Sequence, residues 1–306
     1  MLVPAVVLVL LGCGANPTPR AERPFSAESA SPPGTATASL PPLTPAAPRA
    51  RVPSPNPSRT TDVNPVGDLP GWKHVFMEDF TAGDVPLGAF PGPLYRERWS
   101  AGYKDGTPDT AGQVSGGKSG YYPAKVLSVQ NGMLDWFLHS ENGISMGAAP
   151  APRIPNAAKN PPRDNSLLYG RYSVRYRADS MPGFKTAWLL WPDSGIWPRD
   201  GEIDFPEGDL GATLTAAAHF MSLDPKRFEQ FFTDKFSKDW HVATTEWRPG
   251  QVEFFVDGVS IGVSTTDVPS KPMHLILQTE SCLPNCPDPA TQGHLVLDWI
   301  SIWVPA

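Results

Sequence analysis

The chain has 306 residues, enough for one large domain or two modest ones. Its formal net charge of −6, with only 18% charged residues, provides no basic stripe to neutralise phosphates and argues against a nucleic-acid partner. The 10 Trp suit uncharged, ring-shaped ligands, as well as a large core.

The chain opens "MLVPAVVLVLLGCGANP". The apolar run before Cys13 is too short to span a bilayer as a helix and fits the core of a secretory signal, although no Lys or Arg precedes it. The segment Leu10-Leu11-Gly12-Cys13 resembles a bacterial lipobox, which makes Cys13 the expected lipidation site. Simple signal cleavage is the alternative. The expectation is an exported monomer, touching a membrane through that anchor only. Residues 14–69 are crowded with Pro, Ala, Ser and Thr, cannot bury enough apolar surface to offset their ordering entropy, and read as a disordered tether.

From Pro70 to Ala306 the composition becomes that of a folded domain. Short β-rich runs separated by Gly, Pro, Asn and Asp dominate: "WKHVFMEDF", "AKVLSVQNGMLDWFLHS", "YGRYSVRYRAD", "FKTAWLLWP", "GEIDF", "ATLTAAAHFM", "HVATTEWRP", "QVEFFVDGVSIGVST", "MHLILQTES" and "HLVLDWISIWV". Asn131-Gly132 and Asp257-Gly258 are hairpin signals. "DPKRFEQFFTDKF" is the one segment that reads as a helical turn or two, placed in a loop. The pattern predicts an all-β sandwich or jelly roll. Cys282 and Cys286 are expected to pair and staple a loop. A zinc site would need two further ligands, and only the scattered His274 and His294 are available.

The stretch "WPRDGEIDFPEGDL" concentrates acids in a strand-like run. In a regular strand Glu202 and Asp204 share a face and Glu207 falls on the other. Pro206 cannot donate to a sheet ladder and belongs at an edge or a bulge. A bulge near Phe205-Pro206 would return Glu207 to the face of Glu202 and Asp204. Acids crowded there repel one another, so at least one should hold its proton near neutral pH, as a general acid requires. Two such carboxyls can cleave a glycosidic bond with retention.

"GEIDFPEG" resembles the bulged active-site motif Glu-x-Asp-x-x-Glu of glycoside hydrolase family 16, laminarinase-like members included. "YGRYSVRYRA", "AWLLWPDSGIWPRDGEID", "AAAHFM", "WHVATTEWRPGQVEFFVDGVSIG" and "LVLDWISIW" resemble its flanking strands in order. The resemblance implies a concanavalin-like concave jelly roll with a sugar-binding cleft. It implies an endo-acting, retaining hydrolase of a β-linked polysaccharide, β-1,3-glucan first, with galactan-type substrates, transglycosylation or a non-catalytic sugar-binding lipoprotein as alternatives. It further implies Glu202 as nucleophile, Glu207 as general acid/base and Asp204 as the nucleophile's partner. Trp188, Trp197, His219 and Gln278 are the expected substrate-binding residues, with Trp191 on the face opposite Trp188. Trp240 and Trp247 divide between cleft and core. No cofactor is required. Some relatives hold a structural calcium, for which Asp298 with Asp79 or Glu78 would be the matching oxygen ligands. Lys185-Thr186, Gln278 and the Cys282–Cys286 loop depart from the family pattern.

Overall fold

The computed structural model describes residues 64–114, 116–154 and 165–306. The signal segment, Cys13 and tether residues 14–63 lie outside them. In chain order the first elements are β1 (Trp72–Glu78), α1 (Gly92–Tyr95), β2 (Trp99–Ser100), β3 (Thr107–Pro108), α2 (Thr110–Val114), β4 (Ser119–Tyr121) and α3 (Pro123–Val126). Then follow β5 (Leu127–Gln130), β6 (Met133–Glu141), β7 (Ile144–Gly147), β8 (Ala151–Pro152), β9 (Ser166–Leu167), β10 (Gly170–Ala178) and β11 (Phe184–Pro192). The last are β12 (Glu202–Asp209), β13 (Thr213–His219), β14 (Phe228–Phe236), β15 (His241–Arg248), β16 (Gln251–Val256), β17 (Val259–Ser264), β18 (Met273–Ser281) and β19 (Gly293–Pro305).

The strands form two large sheets. One runs β17-β16-β15-β10-β19-β6-β7-β4-β3, with β1 also on β19 and β5 on β6; the smaller runs β14-β13-β12-β11-β18-β9. Both predicted hairpins are present, joining β5 to β6 and β16 to β17. Their turn pairs Asn131-Gly132 and Asp257-Gly258 all have positive φ, as the tight turn matching strand twist demands.

One core lies between the sheets. From the smaller sheet Trp188, Leu190, Ile203, Phe205, Leu214, Leu275 and Leu277 enter it; from the larger come Trp136, Tyr172, Val174, Tyr176, Ala243 and Phe254. Because strand side chains alternate, the residues between these on β11, β12, β13 and β18 point to the outer face of the smaller sheet. That face carries the chemistry.

The structure corrects the sequence reading in several places. The ordered part begins before Pro70: the carbonyl oxygens of Pro65 and Gly67 accept from Ser301 Oγ and Trp303 Nε1 at 2.8 Å each. Two buried donors of β19 are thereby satisfied, which a disordered segment could not do. The segment read as helical in a loop is the edge strand β14, paired antiparallel with β13. Its phenylalanines at 228, 231/232 and 236 mimic helical spacing, but Phe231 packs on Phe254 in the core and Phe232 stays exposed. Trp247 is buried, donating to the Pro269 carbonyl at 2.8 Å, while Trp240 lies under Arg175 and Arg177 of the larger sheet. Neither reaches the outer face of the smaller sheet. Cys282 and Cys286 are bonded to each other.

Candidate active site

The bulge is present where Pro206 predicts it. On β13, Ala217 opposes Asp204 and Thr215 opposes Glu207, so three steps on β12 match two on its partner. On the other side Leu189 opposes Asp204 and Ala187 opposes Glu207, the same mismatch. Pro206 has no N–H to leave unpaired, so it fits the inserted position without a lost hydrogen bond. Two further contacts fix the irregularity. Thr215 Oγ1 donates to the Glu207 carbonyl at 3.0 Å, and Gly208 takes φ +131°, where a side chain would be strained. Ile203 and Phe205 stay in the core, and Glu202, Asp204 and Glu207 share the outer face.

Rows across the sheet place the neighbours. Ala187 pairs with Gln278 and with Glu207, so Gln278 lies in the row of Glu207 on the outer face. His219 pairs with Glu202, and Phe228 with His219. The His219 ring stacks on Phe228 with centroids 5.0 Å apart and meets Trp197 edge-on at 6.1 Å. Trp197 in turn stacks on Trp191 at 6.4 Å. An aromatic band Trp191–Trp197–His219–Phe228 therefore crosses the sheet beside Glu202. Trp188 is not part of it. Its indole is buried against Trp136 and Tyr176 of the opposite sheet, and Trp191, the other member of the alternating pair, takes the outer face. Phe228 was missed in the sequence because β14 was; its alignment with His219 is visible only once the strand pairing is known.

Glu202, Asp204 and His219 are all buried. His219 Nε2 lies 3.4 Å from Asp204 Oδ2 and 4.0 Å from Glu202 Oε2. Burial pushes the imidazole down to about 4, with Glu207 opposing, so it is neutral at pH 7 and offers hydrogen bonds rather than charge. Burial pushes Glu202 up to about 8; the charge of Glu207 adds, while Asp204, the Trp197 indole and Lys185 oppose. Burial, then the charges of Glu202 and Glu207, holds Asp204 well above the usual carboxylate range. The Glu202–Asp204 pair thus retains a proton near neutrality, as crowded acids must. Glu202 Oε2 and Asp204 Oδ2 have no hydrogen-bond partner among the described residues, the kind of unmet polar demand that marks reactive sites.

Glu207 has different company. Lys185 Nζ, on β11, donates to its Oε1 at 3.0 Å, and both side chains are largely buried. Burial disfavours the Lys185 charge, but Glu207, Glu280 and Asp204 more than offset it and hold the ammonium above its ordinary range.

Among the described residues the close gathering of acid and imidazole groups is Glu202, Asp204 and His219. The oxygen ligands expected for calcium fit poorly: Arg175 donates to Asp298 and Arg98 pairs with Glu78 at 2.8 Å, while Asp79 accepts from Thr81. Carboxylates already neutralised by arginine have little charge left for a cation.

The fold and site together define a class: a two-sheet β-jelly roll carrying a row of carboxylates on the outer face of its smaller sheet. Residues 159–301, a little under half of the chain, match the family described as glycosyl hydrolases family 16, and the segment that builds the site lies within the matched residues. The laminarinase of Rhodothermus marinus has the same fold, with a TM-score of 0.60 at 22% identity over 77% of this chain and 98% of that one. The chain is 31% identical over 103 residues to a β-glucanase of Rhodothermus marinus, covering 30% of this chain and 36% of that protein. It is 32% identical over 104 residues to glucan endo-1,3-β-glucosidase A1 of Niallia circulans, covering 30% of this chain and 15% of that protein. The chain thus spans about a third or less of the length of these two relatives.

Proposed function

We propose that this chain is a retaining, endo-acting glycoside hydrolase of a β-linked glucan, β-1,3-linked first. The observation that carries the reading is the bulge that brings Glu202, Asp204 and Glu207 to one face. A sugar-binding protein has no use for three carboxylates held against their mutual repulsion. The similarity to a β-glucanase and a glucan endo-1,3-β-glucosidase supports the choice of glucan.

In this reading Glu202 attacks the anomeric carbon while Glu207 donates its proton to the departing glycosidic oxygen. Water then hydrolyses the glycosyl ester, with Glu207 taking the proton back. Asp204 shares the proton of the pair with Glu202 before substrate binds. Neutral His219 and the indoles of Trp191 and Trp197 offer hydrogen bonds and apolar faces to the sugar beside Glu202. The Leu10–Cys13 segment supports export with a lipid on Cys13, and the protein acts as a monomer with no required cofactor.

The test is incubation with a panel of glucans, galactans and other β-linked polysaccharides, reading new reducing ends and the first-formed anomer by proton NMR. β-1,3-Glucan should yield oligosaccharides of retained configuration. Inverted product would remove Glu202 as nucleophile, and inertness across the panel would leave only a sugar-binding protein.

A further inference from the structure

Retaining hydrolysis needs a proton on the acid/base and a negative charge on the nucleophile when substrate arrives. The charges on this face are arranged the other way. Lys185 is the only lysine or arginine on β11, β12, β13 and β18, and it sits on Glu207. In the pairing of β11 with β18 it also opposes Glu280. Glu280 is buried and anchored, its Oε1 accepting from Thr110 Oγ1 at 2.6 Å and Tyr121 Oη at 3.0 Å. The ammonium is therefore held between two acids at one end of the face. No lysine or arginine of these strands stands by Glu202 and Asp204 at the other.

We propose that Lys185 is a positioning residue that fixes Glu207 as a carboxylate in the free enzyme, so that the resting site carries its proton on the Glu202–Asp204 pair. This rests on the hydrolase reading for its consequence in catalysis, though not for the charge arrangement itself. The productive form is the tautomer in which that same proton has moved to Glu207; no proton is gained or lost. Only the fraction of enzyme in that form cleaves an unactivated bond, and Lys185 sets the fraction. The other groups facing Glu207 act in known directions. Glu202 and Asp204 on its own strand oppose its charge, as does Glu280 through Lys185, and His219 on β13 is neutral. Behind Glu280, burial and Glu280 itself push Asp109 up to about 6, so it adds negative charge only above that pH. The tendency of Glu202 to keep its proton up to about pH 8 supports the same distribution.

The experiment follows Glu207 by carboxyl carbon-13 NMR across pH in the whole protein and in Lys185→Gln, alongside the pH profile of kcat/KM on β-1,3-glucan. Losing the ammonium that donates to Glu207 Oε1 should move the Glu207 carboxyl signal's response to pH upward. The acid limb and the plateau of kcat/KM on polysaccharide should rise with it, because more of the singly protonated enzyme is then in the productive form, and Lys185→Arg should restore both. An activated aryl glycoside, which hardly needs the proton, should keep the wild-type profile for its first step. Should Lys185→Gln not fold, Glu280→Gln gives the opposite sign, freeing Lys185 for Glu207 and lowering its midpoint. An unchanged Glu207 midpoint in Lys185→Gln, or in Glu280→Gln where that variant stands in, overturns the proposal. A shifted midpoint in a protein that cleaves no polysaccharide would instead sink the hydrolase reading and leave the role of Lys185 intact.

Discussion

Trp188 and Trp191 lie three residues apart on β11 and face opposite ways, and their replacement should separate stability from substrate binding. Trp188 is about 1% exposed and packs on Trp136 and Tyr176 across the sheet interface, with ring centroids 5.8 and 5.1 Å away. Truncating a buried Trp to Ala costs roughly 3–5 kcal/mol. Its Nε1 is buried without a hydrogen-bond partner among the described residues, so its removal returns part of a desolvation cost of about 1–3 kcal/mol. The expected loss for Trp188→Ala is therefore at the lower end, about 3 kcal/mol. In a domain of this size that lowers Tm by roughly 6–12 °C. Trp188→Phe loses less area and also removes the orphan N–H, so it should cost about 1.5 kcal/mol or less. Trp191→Ala, half-buried beside Trp197, should leave Tm within a few degrees yet raise KM for glucan several-fold. The measurements are thermal melts and Michaelis curves for the three variants. A Trp188→Ala protein with wild-type Tm and raised KM would put that indole on the sugar side and refute the facing derived from the register.

Replacing each acid should fail in its own way. Glu202→Ala should lose activity even on activated aryl glycosides, with azide yielding only inverted product. Glu207→Ala should fall about 10²–10⁴-fold on polysaccharide but be rescued by azide with retained configuration; full polysaccharide activity in Glu207→Ala would dismiss it as acid/base. Stability should depend on pH through the same groups. The raised Glu202 binds its proton more tightly folded than unfolded, so its contribution is present below about 4.5 and is lost as pH rises through about 8. Glu202→Gln should accordingly melt higher than wild type at pH 8 and converge with it near pH 4. His219 has the opposite sign: its folded preference for the neutral form stabilises above 6.5 and is lost as pH falls through about 4. Paired melts from pH 4 to 8 check both, and a Glu202→Gln advantage that grows toward acid would contradict the assignment.

Strands were legible where alternation or a turn pair declared them. Asn131-Gly132 and Asp257-Gly258 gave both their hairpins, and the run Phe184–Pro192 its buried strand. The bulge was legible for a local reason too, because proline within an acidic strand leaves few geometries. Facing was harder. Nothing in the residues of β11 says which side meets the other sheet, so Trp188 and Trp191 could be separated, but the expectation of Trp188 on the sugar side took the core member of the pair. β14 was lost because the hydrophobic residues of this edge strand do not follow a period-2 pattern, and six of its nine residues are exposed. The ordered start before Pro70 was invisible to composition, since hydrogen bonds to the carbonyls of Pro65 and Gly67 and to the side chains of Asn64 and Asp68 tie it down.

The carboxylates illustrate where local reasoning stops and tertiary charge begins. From the motif alone, crowding predicts that some acid keeps its proton, and proton donation makes Glu207 the natural choice. In the folded chain burial favours the protonated forms of Glu202 and Asp204, while Lys185 donates to Glu207. Lys185 lies far from Glu207 in sequence and becomes its neighbour only through the antiparallel pairing of β11 with β12. Placing an acid on the correct face is thus a property of one strand and its bulge. Deciding which acid carries the proton belongs to the sheet, and a single residue on the adjacent strand can reverse it. Relatives sharing the motif but lacking a cation at the position of Lys185 should therefore differ from this protein in pH profile while sharing stereochemistry, since the first depends on the neighbour strand and the second on the motif.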